Sequence, residues 1–349
     1  LRLTSRLPAA CLLGLGIFAL CEALVWHHQP WLRFLLRYAP PGPGDPALSA
    51  AQLGLLPRSE APAVLLLGSS QVREGLDCAV LEARLPGQPC RNLAVGGGSP
   101  LDVLQIARRS EGRLPRRVIV TGLFPKILHA EPKAAFLGPD ALACLLFSET
   151  RRHMGSRDWL DAVYGLLANT SETLRTRDAL WATYAAVGGD VRGAWRGERA
   201  PQPGRMLEGE PPKPERYFDQ RLGIVGFETR PGAFTPAQEA ALDRLIRRET
   251  RRGNRVAVLD FPTRPGYDTT IPREALEHYA GLLDRLRRRT DIVFVDTADL
   301  PPLFLDDFLD FTHLSETGRR KVSERVADLL AERGLVAGPA RQEVQGVGQ

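Results

Sequence analysis

The chain is expected to be an α/β protein built on a doubly wound sheet of five parallel strands, with helices on both faces. Three observations predict this. Short apolar runs recur, β-branched in part and bounded by Gly, Pro or Asp, as strands buried on both faces do. Amphipathic helical patterns lie between them. The composition is ordinary for a globular chain, with 44% hydrophobic and 25% charged residues over 349 positions, enough for one large domain.

The elements follow in order. Leu7 to Trp26 is an apolar run broken by one charge, Glu22. It is long enough to cross a bilayer core of about 30 Å. Arg2 and Arg6 precede it, which suits a cytoplasmic start. "ALCEALVW" makes a poor small-residue cleavage site, and Phe-Ala-Leu before Cys21 makes a poor lipobox. Residues 1–27 therefore read as an uncleaved transmembrane anchor, with the rest of the chain outside the cytoplasm. "WLRFLLRY" (Trp31 to Tyr38) suits the membrane interface, and "PPGPGDP" suits a linker, so residues 28–61 form a connecting segment.

The main domain is expected over 62–335. Its strands are Val64–Leu67, Asn92–Val95, Arg117–Thr121, Val256–Leu259 and Ile292–Val295. Helices are expected over Asp77–Arg84 and Pro100–Ser110. Another begins at Thr235 as N-cap, with Pro236 in the first turn, Gln238 closing a capping box and Gly253 as the stop. "PREALEHYAGLLDRLRRR" precedes the fifth strand. The last helix starts near Ser315 and buries Val322, Val326, Leu329 and Leu330. Residues 125–234 interrupt the alternation and read as a helical insertion with a flexible flap. Residues 336–349 read as a disordered tail.

Composition excludes several functions. The net charge is only +5 and the Arg residues are mixed with acids, with no basic stripe interleaved with aromatics, so nucleic-acid binding finds no support. Of 46 basic residues only Lys126, Lys133, Lys213 and Lys321 are Lys, and an Arg-rich surface favours anionic glycans or lipid headgroups. The five Cys and six His residues show no metal-ligand spacing, and no phosphate-binding loop or GxGxxG is present, because Leu101 stands at the last Gly position. Neither metal nor cofactor is expected. Cys78 and Cys90 could pair in an oxidising compartment, but the preferred reading is two separate buried thiols.

Two short segments carry chemistry. "VLLLGSSQVREGLD" runs a buried strand straight into two hydroxyls, Ser69 and Ser70. "DDFLDFTHLSETG" places Asp310 and His313 three apart just before the last helix. An Asp can hold one imidazole nitrogen while the other faces a serine hydroxyl. Taken alone, the second segment reads as a solvated acidic loop of Asp306, Asp307 and Asp310 with His313 capping the helix.

Together the two segments resemble the SGNH/GDSL hydrolase superfamily, in its membrane-anchored extracytoplasmic branch linked to acylation of cell-surface glycans. The resemblance implies a flavodoxin-like fold, with Ser70 as nucleophile, His313 as general base and Asp310 as its orienting partner. Ser69 replaces the family Asp. In "NLAVGGGSP", Gly97 takes the place of the second-block Gly, so the N–H groups of Ser70 and Gly97 would hold the oxyanion. The third block departs from the family: Gly122 fits, but Phe124 stands where the family has an Asn donor. The implied substrate is an acylated glycan or small acyl ester, and a membrane acyl-donor protein is an implied partner. Arg73, Arg264 and Tyr267 are further candidates for substrate binding, because each follows a strand end that would line the same edge. An ion pair for Arg73, and a plain turn for the other two, are the competing readings.

Overall fold

The structure is a computed structural model and describes residues 13–20, 23, 63–109, 117–129, 139–146, 148–170 and 235–336. Its centre is a five-stranded, all-parallel sheet in the order β2-β1-β3-β4-β5. The strands are β1 (Val64–Leu67), β2 (Cys90–Asn92), β3 (Val118–Leu123), β4 (Arg255–Asp260) and β5 (Val293–Val295). Helices α1 (Ser70–Gly75) and α2 (Cys78–Arg84) follow β1, and α3 (Pro100–Arg109) follows β2. Then come α4 (Pro139–Leu145), α5 (Ser148–His153), α6 (Ser156–Thr170) and α7 (Thr235–Arg251) before β4. Helix α8 (Arg273–Arg287) precedes β5, and α9 (Glu316–Glu332) closes the domain.

Strand alternation splits the core in two. On β1, Leu65 and Leu67 join a cluster with Leu101 and Leu104 of α3 and Leu242 and Leu245 of α7. Val64 and Leu66 join another with Val72 of α1, Leu81 of α2, and Val322 and Val326 of α9. All four β1 side chains are fully buried, which explains why the strand reads as an unbroken apolar run. The chain steps outward from β1 to β2 and then returns to β3 on the other side of β1. The carboxyl ends of β1 and β3 thus flank the point where the winding reverses, where open α/β sheets leave a crevice.

Several boundaries differ from expectation. The second strand is Cys90–Asn92, two residues earlier than predicted. Leu93 and Val95 still donate to Leu66 O and Gly68 O at 2.9 Å each, but the Asn92 side chain accepts from Ala94 N–H and bends the chain out of strand geometry. The third strand runs on to Leu123, so Gly122 lies inside it. Gln238, expected to close a capping box, is fully buried and accepts from Leu101 N–H at 3.0 Å, fastening α7 to the start of α3. Gly253 ends α7 as read, at φ 79°.

Cys78 and Cys90 are disulfide-bonded, which corrects the expectation of separate thiols. Cys78 opens α2 and Cys90 opens β2, and packing α2 beside β2 brings their Cα atoms to 5.2 Å. Cys144 is buried and forms no disulfide.

Of the predicted insertion, α4, α5 and α6 are helical, and Cys144, Leu145 and Ala162 enter the α3/α7 core. Residues 171–234, including the expected flap, lie outside the described residues, as do the linker and residues 337–349. Residues 13–20 are helical and exposed, and most of the expected anchor lies outside the described residues. Among the described residues no helix is long and apolar enough to cross a membrane.

Candidate active site

At the end of β1 the chain turns sharply at Gly68, whose φ is 153°. A Cβ there would come within 2.5 Å of a Val72 methyl, and one on Gly122 of β3 would meet the same methyl at 2.6 Å. Glycine at both points lets Val72 seat on the sheet, which brings α1 down over the crevice. Ser69 is the N-cap and Ser70 the first residue of α1. The Ser70 hydroxyl therefore stands at the carboxyl edge, and its N–H has no acceptor within the helix.

The second half of the site is the loop before α9. Phe308 and Leu314 form an isolated antiparallel bridge, Leu309 N–H donates to His313 O at 2.8 Å, and Ser315 N–H donates to Asp307 O at 2.8 Å. These bonds pinch residues 308–314 into a closed loop. Phe308 and Leu314 anchor it in the α1/α9 core, while Phe311 sits in a separate cluster with Tyr267, Ile271 and Ala275. Ser315 caps α9 by accepting from Gly318 N–H. Asp310 and His313 are left facing the crevice.

The two halves meet. Ser70 Oγ lies 2.9 Å from His313 Nε2, and Asp310 Oδ2 lies 2.8 Å from His313 Nδ1. Asp310 Oδ1 also accepts from the N–H groups of Thr312 and His313, at 2.8 and 2.9 Å. Burial pushes the Asp310 carboxyl up, but the His313 hydrogen bond and charge, with the two backbone donors, outweigh it and hold the group below its ordinary value. An ionised Asp310 fixes the His313 proton on Nδ1. Nε2 is then free to accept the Ser70 proton, the arrangement a nucleophilic hydroxyl needs. The His313 and Asp310 side chains are 19% and 25% exposed, so substrate can reach them.

The loop 95–98 lies against the end of β1: Val95 N–H donates to Gly68 O, and a Cβ on Gly98 would sit 2.9 Å from that same oxygen. Gly97, within this loop, has φ 64°, a left-handed conformation that glycine adopts without strain. Ser99 closes the loop, its N–H and hydroxyl both donating to buried Asp102 at 2.8 and 2.7 Å.

The other predicted residues fall in distinct places. Arg73 Nε bonds the buried Glu74 carboxylate at 2.6 Å, and a Cβ on Gly96 would lie 3.3 Å from its guanidinium. Arg73 thus bridges α1 and the loop that carries Gly97. Tyr267 is fully buried against Phe311, with ring centroids 6.0 Å apart, and Arg264 N–H donates to Phe311 O at 2.9 Å. These two residues brace the Asp310–His313 loop from behind. Burial, and then the nearby Asp310 charge, push the Tyr267 hydroxyl well up from its usual value. Phe124 is buried in the α3/α7 core, across the sheet from Val72 and α1, so position 124 is turned away from Ser70.

Three residues of the site escaped sequence reasoning. Asn92 Nδ2 lies 3.2–3.3 Å from the carbonyls of Val72, Arg73 and Leu76, at the end of α1. Gln71 accepts from the Ser69 hydroxyl, and its Oε1 is 3.4 Å from Ser70 Oγ. Glu74 is 2% exposed and holds Arg73. The only available signal was their crowding around "GSSQVRE" and "RNLAVGGG". Among the described residues, no group of His, Cys, Asp and Glu could hold a metal ion. Comparison with protein-family models and with curated proteins finds no match for this chain.

Proposed function

We propose that this protein is an SGNH-like serine esterase or O-acyltransferase, anchored in a membrane and acting outside the cytoplasm on acyl esters of cell-surface glycans. The observation that carries the reading is the hydrogen-bonded run from Ser70 through His313 to Asp310 at the carboxyl edge of the sheet. Ser70 Oγ attacks the ester carbonyl carbon while its proton passes to His313 Nε2. The developing oxyanion is held by the N–H groups of Ser70 and Gly97. The carbon–oxygen bond to the alcohol breaks, His313 returns the proton to the leaving oxygen, and an acyl-serine remains. Water or a sugar hydroxyl then attacks, with His313 again taking the proton, and Ser70 is released. Water as acceptor makes the protein an esterase; a sugar hydroxyl makes it a transferase.

Two observations support the location. Residues 13–20 form an exposed apolar helix, with Leu13 66% and Leu20 60% exposed, as expected of a segment whose partner is lipid. The Cys78–Cys90 disulfide suits an oxidising compartment. A second reading, a degenerate SGNH-like fold that binds glycan without turnover, is favoured by the burial of Phe124 at the family's donor position. A serine-directed phosphonate separates the two. Labelling of the full chain that is lost in Ser70→Ala is expected; equal labelling of both proteins, or of neither, defeats the catalytic reading.

A further inference from the structure

Gly96, Gly97 and Gly98 follow one another in the loop against the end of β1, and none has a side chain to fix its backbone. Gly98 N–H donates to Val95 O at 2.9 Å, which closes a four-residue turn with Gly96 and Gly97 at its centre. Gly97 has φ 64°, and Gly96 is not among the glycines of positive φ. That sign pattern belongs to a type II turn. A type I turn with the same ends differs by rotating the central peptide through roughly 150–170°. Two central glycines allow either form, so the local sequence does not choose between them.

The choice matters for the oxyanion. The central peptide joins the Gly96 carbonyl to the Gly97 N–H, and it is trans. In one orientation it offers a donor. After a flip it offers a carbonyl on the same side, which repels a developing negative charge.

Arg73 lies against this peptide. It comes three positions after Ser70 on α1, so the two share a helix face. A Cβ on Gly96 would meet Nη1, Nη2 and Cζ of Arg73 at 3.3, 3.6 and 3.7 Å, so the guanidinium packs on the first central residue of the turn. Its third nitrogen, Nε, is held by Glu74 at 2.6 Å. The Glu74 side chain is 2% exposed and that of Arg73 16%, so this is no solvated surface pair. The buried carboxylate fixes the guanidinium from behind, and Asn92 holds the Arg73 carbonyl at 3.2 Å.

We infer that Arg73 is a positioning residue that keeps the Gly97 N–H turned to the oxyanion. The cation draws the Gly96 carbonyl and repels the Gly97 N–H, so the peptide holds one orientation. A planar fork fills the space over Gly96, which a lysine ammonium does not. Both oxyanion donors then hang on α1: Ser70 opens the helix, and Arg73 sets the second donor from it. The inference rests on the serine-enzyme reading for its chemical purpose; the orientation of the turn does not depend on that reading.

The test uses the full chain in detergent. Glycine labelled at its carbonyl carbon and amide nitrogen gives NMR correlation peaks only from Gly–Gly peptides, which here are the amides of Gly97, Gly98 and Gly189. Gly96→Ala removes the Gly97 peak and so assigns it. Arg73→Lys keeps a cation beside Glu74, and Arg73→Met with Glu74→Gln removes both charges together, leaving no lone buried carboxylate. In both variants the Gly97 peak should shift or split, while the Gly98 amide, bonded to Val95 O in either turn type, should move less. For neutral p-nitrophenyl acetate, kcat should fall about ten- to a hundredfold with KM changed less than about twofold, because an oxyanion donor acts in the transition state. An anionic ester, mono-p-nitrophenyl succinate, should lose as much. A loss confined to the KM of the anionic ester would make Arg73 a substrate-binding group and overturn the inference. An unmoved Gly97 peak in both variants, or turnover at the parent rate in both, would overturn it as well. If the parent turns over neither ester while the Gly97 peak still responds to the substitutions, the serine chemistry fails and the hold of Arg73 on the turn stands.

Discussion

Replacing Asn92 tests how Ser70 is held. The Asn92 amide has two N–H groups to share among the carbonyls of Val72, Arg73 and Leu76, and its oxygen accepts from Ala94 N–H at 3.1 Å. Helix α1 has only six residues and little cohesion of its own. A hydrogen bond contributes about 0.5–1.5 kcal/mol net, so losing two from partly buried carbonyls in Asn92→Ala should cost about 2 kcal/mol. Asn92→Asp should cost more, about 3 kcal/mol, because an acceptor then faces three acceptors while the bond from Ala94 survives. With a urea slope of about 3 kcal/mol per molar, the midpoint should fall by ~0.7 M for Ala and ~1 M for Asp. The Asp penalty should shrink as pH falls, because protonation restores a donor. The assay is urea unfolding of the full chain in detergent, paired with the rate of phosphonate labelling below the transition. Both stability and labelling rate should fall, since α1 begins at Ser70. An Asn92→Asp midpoint within ~0.2 M of the parent, with labelling unchanged, would refute the tether.

Other substitutions follow from the same geometry. Ser70→Ala and His313→Ala should each remove nearly all ester turnover, with the double variant little worse, and Asp310→Asn should leave more; additive losses in a small-ester assay would contradict a single catalytic unit. Because the folded Asp310 titrates below its ordinary value of 3.8, its stabilisation is complete above that value and lost as pH falls through the folded one; the unfolding gap between parent and Asp310→Asn should hold steady from pH 7 to about 5 and close in stronger acid. Asp260 behaves oppositely. Burial raises its carboxyl against the hydrogen bonds of Tyr279 and Thr297, so its cost is present at neutral pH and relieved as pH falls through the folded value. Asp260→Asn should therefore melt within about 1 kcal/mol of the parent at pH 7, whereas Asp260→Ala should lose about 1–3 kcal/mol by orphaning the buried Tyr279 hydroxyl. Phe124→Asn should destabilise by about 3 kcal/mol or more and leave ester turnover in the folded protein no higher, because position 124 points into the α3/α7 core; a clear gain in turnover would show that the amide reaches the oxyanion.

Much of the fold was legible because it is written in local pattern. Val64 to Leu67 is apolar at every position because both faces of β1 are covered, and a strand buried on both sides leaves no polar alternation. The pairing of Ser70 with Asp310 and His313 was legible from the order of blocks, since each is locally marked by a strand end or a helix start. Other features were decided only by the tertiary structure. Cys78 and Cys90 bond because α2 packs beside β2, and their spacing alone is equally compatible with two thiols. Asn92 reaches the carbonyls at the end of α1, 16 to 20 positions away, because β2 lies next to β1. Tyr267 follows a strand end in sequence but is buried behind the Asp310–His313 loop, since a turn's sequence does not say which side the next loop will cover. The direction of Phe124 depended on how far β3 extended before the chain turned into the α3/α7 core. Periodicity records whether a residue is buried; which partner buries it is set by strand order and helix placement, and these are properties of the whole chain.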